Sequence, residues 1–183
     1  MHTDDAPPSA WMMRFASLIR AKGRVLDVAA GRGRHARFFA RHGFQVLAVD
    51  RDAAALASMS GMADVDTLAA DLETGPWPLP ARRFDAIIVC NYLHRPLWPH
   101  LLGALAPDGV LLYETFAIGN ERYGKPSNPD FLLRPAELLD VFGGALTIVA
   151  FEQGELHHAE RGAVVQRVAA VGTARPWPPT LEA

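Results

Sequence analysis

Apolar positions along this chain follow two periods, and the alternation between them predicts the architecture. Short, nearly continuous apolar runs occur at Arg24-Val25-Leu26-Asp27-Val28-Ala29, Phe44 to Val49, Val65 to Ala70, Phe84 to Cys90 and Val110 to Thr115. Runs of this length, bounded by turn residues, read as strands buried on both faces. Between them the apolar residues spread out to helical spacing. Ser9 can cap a helix carrying Trp11, Phe15, Leu18 and Ile19, with Gly23 placed to end it, so a helix over 10–22 is expected. Phe38, Phe39 and Ala40 fall on a helix closed by Gly43, Asp52 opens an alanine-rich helix that stops near Gly61, and another helix is expected from about Pro96 to Leu105. Gly75, Pro76, Pro78 and Pro80 rule out a regular helix before the fourth strand, and Pro107-Asp108-Gly109 reads as a turn.

Repeated strand, helix, strand order predicts an α/β, doubly wound and mostly parallel sheet with helices on both faces. Its ligand belongs beyond the carboxyl ends of the strands. The pattern changes after a helix expected from about Pro135 to Phe142. Ala145 to Phe151 and Ala163 to Val171 are separated by a stretch too short for a parallel crossover, so they must pair as an antiparallel hairpin. The whole of 1–183 reads as one domain, with loose termini at 1–9 and at 173–183, where Pro176, Pro178 and Pro179 break the chain.

Composition adds limits. Hydrophobic residues make up 50% of the 183 positions and charged residues 21%, which is the balance of a packed domain. No apolar run approaches the roughly 18 residues of a spanning helix, so no membrane contact and a cytoplasmic location are expected. A formal net charge of -2 argues against a protein whose main work is holding nucleic acid. Arg14, Arg20, Lys22, Arg24, Arg32, Arg34, Arg37 and Arg41 nevertheless face only Asp27 among acids between positions 14 and 44, which makes one end of the molecule basic, and Trp77 and Trp98, although expected to pack or line a rim, leave an RNA acceptor open. Cys90 is the single cysteine, so no intrachain disulfide or cysteine-based zinc site can be built, and it reads as a buried strand residue. His157-His158, flanked by Glu155 and Glu160, point to opposite faces of an extended hairpin, and no metal site is expected.

The chemistry centres on Gly31-Arg32-Gly33, a tight turn between the first strand and a helix, where bare backbone amides can approach a ligand's polar end. Ala29 and Arg34 flank that turn. Asp50 stands nineteen residues after Gly31 at the next strand end, placed to accept the hydroxyl hydrogens of a ribose, with Arg51 beside it. Asp71, again at a strand end, can reach an adenine amino group, with Leu72 stacking nearby. Gly31-x-Gly33-x-x-Ala36 also fits the permissive dinucleotide fingerprint, which keeps a nicotinamide-dependent oxidoreductase in play. Asp27 counts against it, because a carboxylate there would repel a pyrophosphate yet could hold, directly or through water, the ammonium of a methionine moiety.

Through Val25-Leu26-Asp27-Val28-Ala29-Ala30-Gly31-Arg32-Gly33, Ala48-Val49-Asp50, Ala70-Asp71-Leu72, Phe84-Asp85-Ala86-Ile87-Ile88 and Leu105-Ala106-Pro107-Asp108-Gly109, the chain resembles the class I S-adenosylmethionine-dependent methyltransferases. Gly31-Arg32-Gly33-Arg34-His35-Ala36 is most similar to the small bacterial methyltransferases of the tellurite-resistance type. The resemblance implies a seven-stranded sheet of order 3-2-1-4-5-7-6 whose last strand is antiparallel. It implies S-adenosylmethionine as cofactor and S-adenosylhomocysteine as product, with Arg34 orienting the methionine carboxylate. Ala30 stands where many relatives have cysteine or glycine.

On the acceptor side, Asn91-Tyr92-Leu93-His94 follows the fourth strand, where the resemblance places acceptor-facing residues. Asn91 and Tyr92 are candidates for the site, and His94, with an unperturbed pKa near 6.5, is the best candidate base. The segment 116–134 is an unusually long connection, expected to fold over the acceptor through Arg122, Tyr123, Lys125 and Asn128, with hinges at Gly119 and Gly124. The expected function is methyl transfer to a small molecule, against three other readings: an RNA methyltransferase, a nicotinamide-dependent oxidoreductase and a cofactor-binding partner subunit without chemistry.

Overall fold

The computed structural model describes residues 7–158 and 161–181. Its strands are β1 (Arg24–Val28), β2 (Gln45–Asp50), β3 (Val65–Ala69), β4 (Phe84–Cys90), β5 (Leu105–Phe116), β6 (Leu146–His158) and β7 (Arg161–Gly172). All seven belong to one sheet of order β3-β2-β1-β4-β5-β7-β6. β1 to β5 pair in parallel, and β7 inserts antiparallel between β5 and β6. This is the sheet order that the resemblance implies.

The apolar runs are continuous because both faces are covered. One face buries Val25, Val46, Ala86, Ile88, Leu112 and Ala169 under α1 (Ala10–Arg14), α2 (Arg34–Arg41) and α3 (Ala53–Ala57). The other buries Leu26, Val49, Ile87, Val89, Tyr113 and Val168 under α4 (Trp98–Ala104) and α5 (Glu137–Phe142). Residues alternate between these faces along each strand, which fixes on which side a polar strand residue emerges.

Some boundaries differ from expectation. The helix expected over 10–22 stops at Arg14, a 3-10 turn follows over Ala16–Leu18, and Ile19 is extended. Trp11, Phe15, Leu18 and Ile19 are all buried by this broken path, which follows the sheet surface instead of a helix axis. The terminal residues 1–6, 182 and 183 lie outside the described residues, but Ser9 and Ala174, placed in the loose ends by sequence, are both hydrogen-bonded to the rest of the chain. The turn Pro107-Asp108-Gly109 lies within β5, at a register irregularity against β4. α5 begins at Glu137, two residues later than expected, after Ala136 in a left-handed conformation.

β6 and β7 continue pairing to His158 and Arg161, whereas β5 ends its pairing at Phe116 opposite Val165. The result is a two-stranded ribbon projecting beyond the carboxyl edge of the sheet. The segment 117–134 runs along it, joined by Ala117 N–H on the Val164 carbonyl, and its two ends are linked by a bridge between Ala117 and Leu133.

Candidate active site

The ends of β1, β2 and β3 open onto a cleft of about 190 Å³ lined by Ala29, Asp50, Arg51, Ala70, Asp71, Leu72, Glu73 and Tyr92. Six of these eight residues, Ala29, Asp50, Arg51, Asp71, Leu72 and Tyr92, are among those singled out by sequence for the cofactor or the acceptor. Ala29 and Asn91, which directly follow β1 and β4, both adopt left-handed backbone conformations, at φ 54° and 57°. Such conformations raise the local energy by about 1–3 kcal/mol and concentrate at functional sites. They turn the chain sharply away where adjacent strands finish.

The glycine loop works differently from the expectation of free amides. Gly31 N–H donates to Asp50 Oδ2 at 2.7 Å, and Gly33 N–H donates to the Ala30 carbonyl at 2.9 Å. The loop therefore holds Asp50 in place rather than presenting these donors to a ligand. Asp52 N–H donates to Asp50 Oδ1 at 2.9 Å, so the carboxylate is fixed from both sides while each oxygen keeps acceptor capacity. Gly33 has φ 80°, and a Cβ there would fall 2.0 Å from Met59 Sδ, so both backbone shape and packing demand glycine.

Asp27 is 2% exposed, and its Oδ2 accepts the Ala36 amide at 3.0 Å, satisfying a donor in the first turn of α2. Burial pushes its pKa up to about 7, against the opposing pull of that hydrogen bond and of Arg34. Asp71 accepts Glu73 N–H at 2.8 Å and the Thr74 hydroxyl at 2.8 Å, which hold its carboxyl below the usual range. It shapes the turn under Leu72 as well as lining the cleft. Tyr92 has its phenol pushed up by burial and by a hydrogen bond to Glu73, so it stays protonated.

His94 is half-buried outside the cleft lining, directly before Arg95. Arg95 was not foreseen. Its guanidinium pairs with Glu137 at 2.7 Å and donates to the carbonyls of Asp130 and Leu132, tying the loop after β4 to the end of 117–134. The long segment leans on the ribbon: Arg122 pairs with Glu155, and buried Asn120 accepts Val164 N–H at 3.1 Å and donates to the Pro126 carbonyl at 3.0 Å. Asn128 caps the 3-10 turn Pro129–Phe131, and Tyr123 packs over Gly162. None of Arg122, Tyr123, Lys125 or Asn128 lines the cleft. The segment stands against the ribbon on the β5 side, apart from this cleft.

A second group also escaped the sequence reading. Cys90, Glu114, Arg167 and Glu152 stand in one row across β4, β5, β7 and β6. Glu114 is 8% exposed and accepts the Ser9 hydroxyl at 2.7 Å and Arg167 at 3.1 Å. His35, at the start of α2, accepts Ser9 N–H at 3.1 Å through Nε2, so its imidazole is neutral, and burial depresses its pKa to about 3. The available signal was an acid inside the apolar run of β5, since a buried carboxylate requires a partner. Its partner lies 53 residues away, beyond the reach of local pattern. Among the described residues no group of His, Cys, Asp and Glu could hold a metal; Glu160 lies outside them.

The sheet order, the crossover helices and the cleft at the carboxyl ends together define the class I methyltransferase fold. Residues 25–109 match the family described as Methyltransferase domain. In structure the chain resembles TehB from Haemophilus influenzae, with TM-score 0.74 and 17% identity, over 91% of this chain and 63% of that one. The 1,6-didemethyltoxoflavin-N1-methyltransferase of Burkholderia thailandensis, solved with 1,6-didemethyltoxoflavin and S-adenosylhomocysteine, aligns at TM-score 0.61 and 23% identity over 90% and 76% of the two chains. The N-methyltransferase NodS of Bradyrhizobium japonicum aligns at 0.62 and 18% over 86% and 94%. No curated protein matches the chain in sequence.

Proposed function

We propose that this protein transfers the methyl group of S-adenosylmethionine to a small-molecule acceptor. The observation that carries the reading is Asp50, a half-buried carboxylate clamped by the amides of Gly31 and Asp52 at the wall of the cleft. A carboxylate so fixed suits a vicinal diol, and Leu72 and Tyr92 offer apolar surface to a flat base in the same cleft. The methionine end falls to Asp27 and Arg34, a carboxyl and a guanidinium of complementary charge to an ammonium and a carboxylate. A pyrophosphate finds less here, because the amides of Gly31 and Gly33 are already committed. This disfavours the nicotinamide reading.

Bound S-adenosylmethionine supplies a methyl on a sulfonium, an electrophile that needs no metal and no covalent intermediate. The protein's share is proximity, orientation and exclusion of water. The segment 117–134 stands beyond the carboxyl end of β5. To His94, on the loop after β4, we assign the part of base toward an acceptor that carries a proton. The Burkholderia protein's bound 1,6-didemethyltoxoflavin supports a small acceptor, as does the net charge of -2.

Calorimetric titration tests the cofactor. S-adenosylhomocysteine is expected to bind and NADH not to; tighter binding of NADH overturns the reading. Labelled S-adenosylmethionine turned over against a metabolite extract and against total RNA then separates the acceptors, and transfer to RNA alone rejects the small-molecule assignment.

A further inference from the structure

Arg34 stands at the first position of α2, and its orientation is set from behind. Its Nη2 donates to Cys90 Sγ at 3.2 Å, and the Cys90 thiol in turn faces Glu114 Oε1 at 3.7 Å. That carboxylate is held by the Ser9 hydroxyl on the same oxygen and by Arg167 on the other. A neutral thiol has one proton to give and sulfur lone pairs to receive, which matches donation to Glu114 and acceptance from Arg34. Burial, reinforced by the Glu114 charge, pushes the Cys90 thiol up to about 12, so the proton needed for this direction is present. Arg34 Nη1 meanwhile donates to the Pro7 carbonyl at 3.3 Å. Two of its five N–H groups are thus directed into the protein along fixed lines, which sets the plane of the guanidinium.

We propose that Cys90 and Glu114 are positioning residues, forming a thiol-bridged relay that holds Arg34 in the plane required to grip the carboxylate of the cofactor's methionine moiety. The inference rests on the cofactor reading above. It assigns a purpose to three observations that reading leaves unused: a cysteine facing a guanidinium at the end of β4, a charged residue buried inside β5, and an N-terminal segment fastened to both. Ser9 and Pro7 close the same circuit, so the segment leading into α1 reports on the state of Arg34.

The test compares two ligands that differ only at the gripped end. S-adenosylhomocysteine carries the amino-acid carboxylate, whereas 5′-methylthioadenosine keeps the adenosine and lacks it. Calorimetry with Cys90→Ala and with Glu114→Gln is expected to show S-adenosylhomocysteine binding weakened about three- to tenfold, the range of one lost hydrogen bond. 5′-Methylthioadenosine binding stays as in the unaltered chain. Cys90→Ser, whose hydroxyl both donates and accepts, is expected to restore the preference. Cys90→Ala serves if Glu114→Gln, which leaves Arg167 short of a partner, does not fold. Equal weakening of both ligands, or no change in either, overturns the relay, while an unaltered chain that binds neither ligand overturns the cofactor reading beneath it.

Discussion

Asp27 and His35 illustrate how two buried side chains in opposite protonation states can hide each other. Burial raises the Asp27 pKa from 3.8 to about 7 and lowers that of His35 from 6.5 to about 3. Between roughly pH 4 and 6.5 the folded chain holds one proton on Asp27 and none on His35, while the unfolded chain holds none on the aspartate and one on the histidine. Proton counts match, so this pair contributes no slope to stability there. The raised acid alone would lose stability as pH climbs through that window, and the depressed base alone would lose it as pH falls. Asp27→Asn keeps an acceptor for the Ala36 amide and removes one of the two terms. Urea unfolding of that variant is expected to show stability rising by up to about 1.4 kcal/mol per pH unit from 4 to 6.5, relative to the unaltered chain. Parallel profiles would contradict the protonated Asp27. Asp50 answers to a different measurement: Asp50→Ala is expected to weaken S-adenosylhomocysteine binding at least about tenfold, the loss of one strong hydrogen bond to a charged group. An unchanged dissociation constant removes Asp50 from the ribose role.

At the scale of elements, the turn into α2 shows what was legible in the chain and what was not. That a glycine turn follows β1, and that acids end β2 and β3, could be read from local order alone, because periodicity and turn chemistry act over a few residues. The use of the Gly31 amide could not, since Gly31 meets Asp50 only once β2 has packed beside β1, and neither could the need for a bare Gly33, which Met59 crowds only once the segment after α3 has packed. The same limit explains the helix that ends at Arg14 and the row linking Glu114 to Arg167. It applies within 117–134 too, where Asn120 and Arg122 find their partners in Val164 and Glu155 on the ribbon. Gly33→Ala is expected to reduce stability by at least about 2 kcal/mol, combining the left-handed backbone with overpacking against Met59. Adding Met59→Ala removes the collision but not the backbone strain, so denaturant titration should then find the effect of the alanine at 33 reduced to about 1–2 kcal/mol.

For the molecule as a whole, the join between the parallel sheet and the antiparallel ribbon depends on Gln166, which is fully buried in β7. It accepts Leu138 N–H at 2.7 Å and donates to the Arg134 carbonyl and to Gln153, fastening the start of α5 and the end of the long segment to the sheet. Gln166→Leu preserves volume but leaves the Leu138 amide and the Arg134 carbonyl without this partner. A stability loss of about 2–4 kcal/mol is expected, from unsatisfied groups at about 1–3 kcal/mol each. Faster proteolysis within 117–134 should accompany it, and an unaffected cleavage rate would show that the segment is held elsewhere.

The position of β7 has one more consequence, for synthesis on the ribosome. Strand seven fills the gap between β5 and β6 although it is made last. Until it emerges, β5 presents an open edge bearing Val110, Leu111, Leu112 and Tyr113, the kind of edge that recruits other chains. Chains fold from the amino terminus as they are made, so the nascent protein must carry this edge through the translation of some fifty residues after Phe116. A pause in translation before residue 161 would prolong the interval in which the half-finished sheet can be captured.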